Sequence, residues 1–333
     1  MKKIGLALVG GGGRGAYHIG VWEALRENGL DQYVSAISGT SVGGLNAALF
    51  LQGNLECAKE IWENISVEQI LTPRREFKPS LQNYTYKQLK KEYGGIYAYI
   101  RSGLVKIIED NLDMGVFDQS SMNCYMCCKR TKYKKDMDDY EEMLTYPDGT
   151  KKCKRYVKGK ATYFNLRSFS GEERKRILLA TSAMPFIFPK EKIGGYYYMD
   201  GGMVDNLPVE PLYSIEKCEW IIVVHLTTND RKIDNKRFPE AVISEIRPRK
   251  EQGGLFGGIL DFKAESARRR IQEGYQDTIE MFRNIRESID REMEPVRRVK
   301  EAAEREGRME KILGQRWGEL LWKSAEIQKR MED

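Results

Sequence analysis

Gly39-Thr40-Ser41-Val42-Gly43 follows the short β-prone run Val34-Ser35-Ala36-Ile37 and precedes Leu45-Asn46-Ala47-Ala48-Leu49-Phe50, a good helix start. That order reads as strand, sharp bend and helix. Small residues at Gly39 and Gly43 relieve steric conflict at the bend, and the Ser41 hydroxyl stands clear of the chain at a helix N-terminus, where a nucleophile is presented. An ordinary βα turn uses the same pentapeptide, so this segment alone supports both readings.

A second glycine turn, Gly10-Gly11-Gly12-Gly13-Arg14-Gly15, follows the apolar strand Ile4-Gly5-Leu6-Ala7-Leu8-Val9. Gly10, Gly12 and Gly15 satisfy dinucleotide spacing, and Asp31 lies about twenty residues on, where a ribose-binding acid is expected. The order of elements argues against that reading, because the next strand follows Asp31 and ends at the Ser41 bend. A P-loop is excluded, since no Gly-Lys-Ser/Thr follows. What remains is a bank of backbone N–H donors for an anion at a helix N-terminus.

Further on, Ala180-Thr181-Ser182-Ala183-Met184-Pro185-Phe186-Ile187-Phe188-Pro189 leads through Gly194, Gly195 and Tyr196 to Asp200-Gly201-Gly202-Met203-Val204-Asp205-Asn206-Leu207-Pro208. Taken with the two glycine turns, this ordered set resembles the patatin-like phospholipases. The likeness rests on the loop from Gly10 to Gly15, the elbow from Gly39 to Gly43 and the Asp200-Gly201-Gly202 turn. It extends to Asp261-Phe262 and Gly274-Tyr275, which look like the end of the family's domain, while residues 124–162 depart from the family pattern.

The resemblance implies a three-layer α/β/α fold with a mostly parallel central sheet. It places a catalytic domain at 1–285, with 124–162 as an atypical basic excursion, and a helical C-terminal extension at 286–333. It also implies a serine-aspartate dyad: Ser41 as nucleophile, Asp200 as base, and an oxyanion hole from Gly11, Gly12, Gly13, Arg14 and Val42. The implied reaction is hydrolysis of a carboxylic ester in a phospholipid or lysophospholipid, with no metal and no cofactor. The same acyl-enzyme permits acyl transfer to another alcohol, and a non-catalytic nucleotide-binding module built on the Gly10 loop is the reading from a different class.

The residue inventory agrees with a dyad. Only His18 and His225 offer an imidazole. His18 falls one turn into the helix opened by Gly15, where Ala16, Ile19 and Gly20 suggest close helix-sheet packing and a structural role. His225 ends the apolar run Ile221-Ile222-Val223-Val224, at the carboxyl end of a strand where active sites gather. A free aspartate titrates at about 3.9, so Asp200 needs a partly desolvated site to act as a base, which Tyr196, Tyr197, Tyr198 and Met199 allow. A plain tight turn is the bland reading of Asp-Gly-Gly. For Arg14, bracing the loop carbonyls is preferred to binding a substrate phosphate.

The 333 residues are 41% hydrophobic, enough for a large core. Met1-Lys2-Lys3 is followed by an apolar run too short for an export signal, and no stretch of about eighteen apolar residues exists, so the expected setting is cytoplasmic. Six scattered cysteines read as reduced thiols. Cys124-x-x-Cys127-Cys128 invites a zinc reading, but residues 122–131 look like a strand whose alternation aims Cys124 and Cys127 at opposite faces.

The whole chain carries +6, whereas residues 129–176 alone hold fifteen Lys and Arg against eight Asp and Glu. A solvated hairpin around Tyr146-Pro147-Asp148-Gly149-Thr150 accounts for this run. Peripheral contact with an anionic membrane surface is the sharper reading, with Tyr133, Tyr156, Tyr163 and Phe164 at the interface or in the core. No nucleic-acid module accompanies the charge. Beyond Asp261 two helices are expected, 264–289 and 296–331, separated by Pro295. The second bears an apolar stripe at Met309, Ile312, Leu313, Trp317, Leu320, Leu321, Ile327 and Met331.

Overall fold

The computed structural model describes residues 3–73, 99–131, 140–145, 152–158, 161–185, 187–230, 232–305 and 326–329. Ten strands among these form one sheet: β1 (Ile4–Leu8), β2 (Val34–Thr40), β3 (Asn123–Arg130), β4 (Tyr140–Thr145), β5 (Lys152–Lys158), β6 (Ala161–Asn165), β7 (Glu191–Ile193), β8 (Tyr196–Asp200), β9 (Trp220–Val224) and β10 (Val242–Ile246). Their order is β10-β9-β1-β2-β3-β6-β5-β4, and β8 pairs with both β3 and β7. From β10 to β3 every pairing is parallel; beyond β3 all are antiparallel. The parallel half consists of near-continuous apolar runs such as Trp220-Ile221-Ile222-Val223-Val224, as expected for strands covered on both faces.

Side-chain alternation along β1 divides the interior in two. Leu6 and Leu8 face the larger core, with Ile37, Cys124 and Met126, beneath α1 (Ala16–Glu27), α2 (Val42–Gln52), α3 (Leu55–Asn64), α4 (Ser102–Asn111) and α5 (Gly171–Thr181). Ala7 and Val9 face the smaller one, with Ala36, Ile221 and Val223, beneath α6 (Glu210–Ser214) and residues 233–241. Helices, sheet and helices make the three layers. Cys124 joins the larger core, while Cys127 packs with Tyr125 and Tyr163 on the opposite face, so the alternation read from the sequence holds.

Residues 124–128 are entirely buried at the centre of the sheet, so the stretch read as a basic excursion begins as its middle strand. The cause is visible in the sequence, where the basic run starts only at Lys129. Tyr163 and Phe164 are core residues. Strands β4 and β5 pair as the arms of the expected hairpin; its turn at residues 146–150, and Tyr133, lie outside the described residues.

The last long element, α7 (Ala264–Arg305), is one helix running through Pro295. The expected interruption there is absent, and so is a helix end at 289. Proline removes a single N–H donor from the ladder, and in a helix of 42 residues the turns on either side persist, with i,i+4 support such as Arg298 to Glu294 at 3.0 Å. The expected boundary at 285/286 lies inside α7. Gly20 of α1 faces this helix rather than the sheet, so close that a Cβ there would lie 1.8 Å from the Ile271 carbonyl. Of the C-terminal apolar stripe only Ile327 is among the described residues. No helix among them is long and apolar enough to cross a membrane.

Candidate active site

Strand β3 places the two principal side chains. Thr40, the last residue of β2, pairs with Cys127, and Asp200, the last residue of β8, pairs with Cys128. Because β6 occupies the other edge of β3 from Tyr125 to Lys129, β8 takes the edge that β2 vacates. The two strands therefore converge end to end, and the residues that leave them meet.

Ser41 bridges β2 and α2 with φ 57° and ψ −128°, a backbone conformation costing roughly 1–3 kcal/mol for a residue with a side chain. The bend is made possible by Gly43, where a Cβ would sit 2.2 Å from the Leu8 carbonyl oxygen. Three bonds then fix the serine. Its N–H donates to Thr181 Oγ1 at 3.0 Å, and that hydroxyl donates to the Cys127 carbonyl at 2.6 Å. Its own Oγ donates to Asp200 Oδ2 at 2.6 Å.

Asp200 is held as firmly. Its other oxygen accepts the Gly202 N–H at 2.8 Å, and its backbone N–H donates to the Ala183 carbonyl at 3.0 Å. Gly201 lies against the Cys127 carbonyl. Burial raises the Asp200 carboxyl from 3.8 to about 6, with the bonds from Ser41 and Gly202 and the charge of Arg101 pulling the other way. That shift answers the problem posed by a free aspartate, since the group is ionised at neutral pH yet far more basic than usual.

The Gly10 loop lies alongside. Gly10 exchanges two bonds with the Asn206 amide, its N–H to Oδ1 at 3.1 Å and its carbonyl from Nδ2 at 3.2 Å. Farther along, the Gly15 carbonyl accepts Asn46 Nδ2 at 2.8 Å, which ties the loop to the helix that starts behind Ser41. Of the expected oxyanion residues, Gly12 and Val42 border the same cavity as Ser41. Gly11 packs on Leu226 and Gly13 on the backbone at Asp261, while the Arg14 guanidinium donates to the carbonyls of Gly253 and Gly254. The carbonyls that Arg14 reaches therefore belong to residues 253–254 and not to its own loop.

That cavity has a volume of about 90 Å³ and is walled by Leu45, Leu49, Trp62, Ile108, Met184 and Phe262. Its surface is almost wholly apolar, and Ser41 is among the residues that line it.

Neither histidine reaches this site. His18 is buried, bonds Asn46 through Nδ1 at 3.2 Å, and is driven down to about 3 by burial, so it is neutral. His225 is clamped between Asp230 at 3.3 Å and Glu245 at 2.7 Å; burial works against its charge, but the two carboxylates prevail and raise its pKa. Asp31 lies in the 3-10 turn Asp31–Tyr33 that precedes β2, not at the end of that strand, and pairs with Arg26 at 2.7 Å, away from where a dinucleotide fold needs its acid.

Several supporting residues carried no functional signal in the sequence. Thr181 links the Ser41 N–H to the Cys127 carbonyl, Asn206 holds both polar groups of Gly10, and Asn46 joins the Gly15 carbonyl, His18 and Trp62. Arg101 is buried, stacks 5.2 Å from the Phe188 ring, and donates to the Leu179 carbonyl at 2.8 Å and to Glu191 at 3.0 Å.

Comparison with known proteins follows the same lines. Over 51 residues the chain is 51% identical to the patatin-like phospholipase domain-containing protein ZK370.4 of Caenorhabditis elegans, covering 15% of this chain and 4% of that protein. Over 234 residues it is 24% identical to the neuropathy target esterase sws of Drosophila melanogaster, covering 70% of this chain and 14% of that protein. The chain therefore spans only a small part of these curated relatives. Among solved structures, VipD from Legionella pneumophila superposes with a TM-score of 0.48 at 13% identity, covering 85% of this chain and 67% of that one. Human GIVD cytosolic phospholipase A2 gives 0.45 at 9% identity, covering 83% and 58%. The family model for patatin-like phospholipase matches residues 6–213, more than half of the chain and all three motifs through Asp205-Asn206-Leu207-Pro208. The chain belongs to the patatin-like phospholipase family.

Proposed function

We propose that this protein is a serine acyl hydrolase that cleaves a carboxylic ester of a phospholipid or lysophospholipid, with Ser41 as nucleophile and Asp200 as its base. The observation that carries the reading is the 2.6 Å bond to a desolvated carboxylate from the Oγ of Ser41, a residue that also lines an apolar cavity. The cavity takes the acyl chain and leaves the ester carbonyl beside the hydroxyl. As Oγ attacks the carbonyl carbon, its proton passes to Asp200 Oδ2, and the carbonyl oxygen becomes an oxyanion facing the N–H groups of Gly12 and Val42. Each such donor contributes on the order of a hundredfold or more in rate.

Collapse of the tetrahedral intermediate breaks the bond to the leaving alkoxide, which recovers the proton from Asp200 and departs as an alcohol. An acyl ester remains on Ser41. Asp200 then deprotonates a water, whose oxygen attacks the same carbon; the second intermediate expels Ser41, which is reprotonated, and the fatty acid leaves. No imidazole is needed, because a carboxylate raised to about 6 is basic enough to share the serine proton in the transition state.

The test is fluorophosphonate labelling of the purified protein together with profiling of a lipid mixture before and after incubation. Labelling at Ser41 and release of free fatty acid are expected, both lost in Ser41→Ala with circular dichroism unchanged. Fatty acid release by the folded Ser41→Ala protein would reject the assignment.

A further inference from the structure

The glycine loop is gripped from a part of the chain that lies beyond the matched region. The match ends at residue 213, yet residues 252–261 and the start of α7 are stacked directly on Gly12 and Gly13. A Cβ on Gly12 would lie 2.0 Å from the Ile259 carbonyl oxygen, and one on Gly13 would lie 2.2 Å from that of Asp261. Gly12 also has φ +59°. The smallness of these two residues thus serves a backbone-to-backbone contact as well as access to an anion.

Arg270 is at the centre of that contact. It lies in the second turn of α7 and is fully buried. Nη1 donates to the carbonyls of Gly13 at 3.2 Å and Asp261 at 3.1 Å. Nη2 donates to the carbonyls of Gln252 at 3.3 Å and Gly257 at 3.0 Å, and to the Asp261 carboxylate at 3.0 Å. A reciprocal arm comes from the loop itself, where Arg14 reaches out to the carbonyls of Gly253 and Gly254. Two guanidiniums therefore stitch the loop to one short segment from opposite sides. Phe262, next to Asp261, walls the acyl cavity together with Gly12 and Ser41.

We infer that Arg270 is a positioning residue for the oxyanion loop, and that the working catalytic unit extends through residues 252–270. Bond by bond, Arg270 fixes the Gly13 carbonyl, and with it the tight Gly11–Gly15 turn that carries the Gly12 N–H toward the oxyanion. A planar fork is needed because the acceptors lie in several directions around one buried point; an ammonium on a flexible stem presents no such fixed fork. The inference rests on the proposed dyad chemistry, since a loop without an oxyanion to stabilise would have nothing to position.

The experiment compares wild type, Arg270→Lys and Arg14→Lys for hydrolysis of a soluble short-chain ester, for the pH profile of kcat/KM and for the rate of fluorophosphonate labelling. For Arg270→Lys we expect kcat lowered at least tenfold with KM within twofold, labelling slowed in parallel, and the acid limb unmoved because the Ser41–Asp200 pair is untouched. Arg14→Lys carries the same signature in smaller measure, and it decides the matter if Arg270→Lys does not accumulate as folded protein. A folded Arg270→Lys variant within twofold of wild-type kcat overturns the inference, and so does a loss confined to KM or to the acid limb. If Arg270→Lys does not fold, wild-type kcat in Arg14→Lys overturns it too. Wild type that labels at Ser41 while the variants label equally fast leaves the dyad standing and removes the clamp; wild type that fails to label removes the dyad itself.

Discussion

Replacing Asp200 by asparagine should make the protein inactive and, above neutral pH, more stable. Burial raises the carboxyl from 3.8 to about 6, so ionising it within the fold costs about 3 kcal/mol more than ionising it in the unfolded chain, at about 1.4 kcal/mol per unit. A raised pKa means that the folded state prefers the protonated form. The associated stability is fully present below about pH 3.8 and is lost as pH rises through about 6. At pH 8 wild type therefore bears the whole penalty of about 3 kcal/mol, whereas asparagine bears none. Asparagine still has an oxygen for the Gly202 N–H and an amide to face Ser41 Oγ. Urea unfolding of both proteins at pH 4 and pH 8 measures the effect: Asp200→Asn should lead by about 3 kcal/mol at pH 8, with the lead shrinking toward zero at pH 4. The kcat/KM of wild type should rise over the same interval, with its midpoint near 6. A variant no more stable than wild type at pH 8, or a lead that ignores pH, would refute the idea that a buried carboxylate is held ionised at the expense of the fold.

Other expectations follow from single contacts. Thr181→Val removes the acceptor for the Ser41 N–H and the donor to the Cys127 carbonyl, so it should cost about 1–3 kcal/mol in chemical denaturation and lower kcat more than it raises KM. Leu49→Trp extends a larger side chain into the acyl cavity and should move the chain-length preference of ester hydrolysis toward shorter acids; an unchanged profile would place the chain elsewhere.

The Ser41 and Asp200 turns were legible because each lies in a compact motif whose neighbours explain its local geometry: a strand ending at Thr40, a helix starting at Val42, and a glycine pair after Asp200. The strand at 123–130 was legible through its alternation, which also separated Cys124 from Cys127. How these segments come together was not legible. That β8 continues the edge vacated by β2 is a matter of sheet topology, and nothing local in Tyr196-Tyr197-Tyr198 specifies it. Thr181 and Asn206 stood within recognised motifs, but their work consists of two bonds each to backbone that is remote in sequence. Arg270 gave no sign at all, since an arginine in a helix rich in balanced charge reads as a solvated side chain until its carbonyl partners are seen, and Arg101, at the N-cap of α4, belongs to no motif. Pro295 misled in the opposite direction, because a local preference to break a helix was outweighed by the intact turns on either side.

One strand serving as the common gauge for Ser41 and Asp200 has a consequence for how this molecule can change. Cys127 and Cys128 are consecutive, so the spacing between hydroxyl and carboxylate is one step of a single backbone and does not depend on the number of residues that separate them along the chain. Between Arg130 and Ala161 the described strands β4 and β5 continue the sheet beyond β6, on the edge of β3 opposite to β2 and β8. Insertions or deletions there can remodel the outer rim without disturbing the alignment of Ser41 with Asp200, whereas a single residue added within 124–128 would pull them out of step.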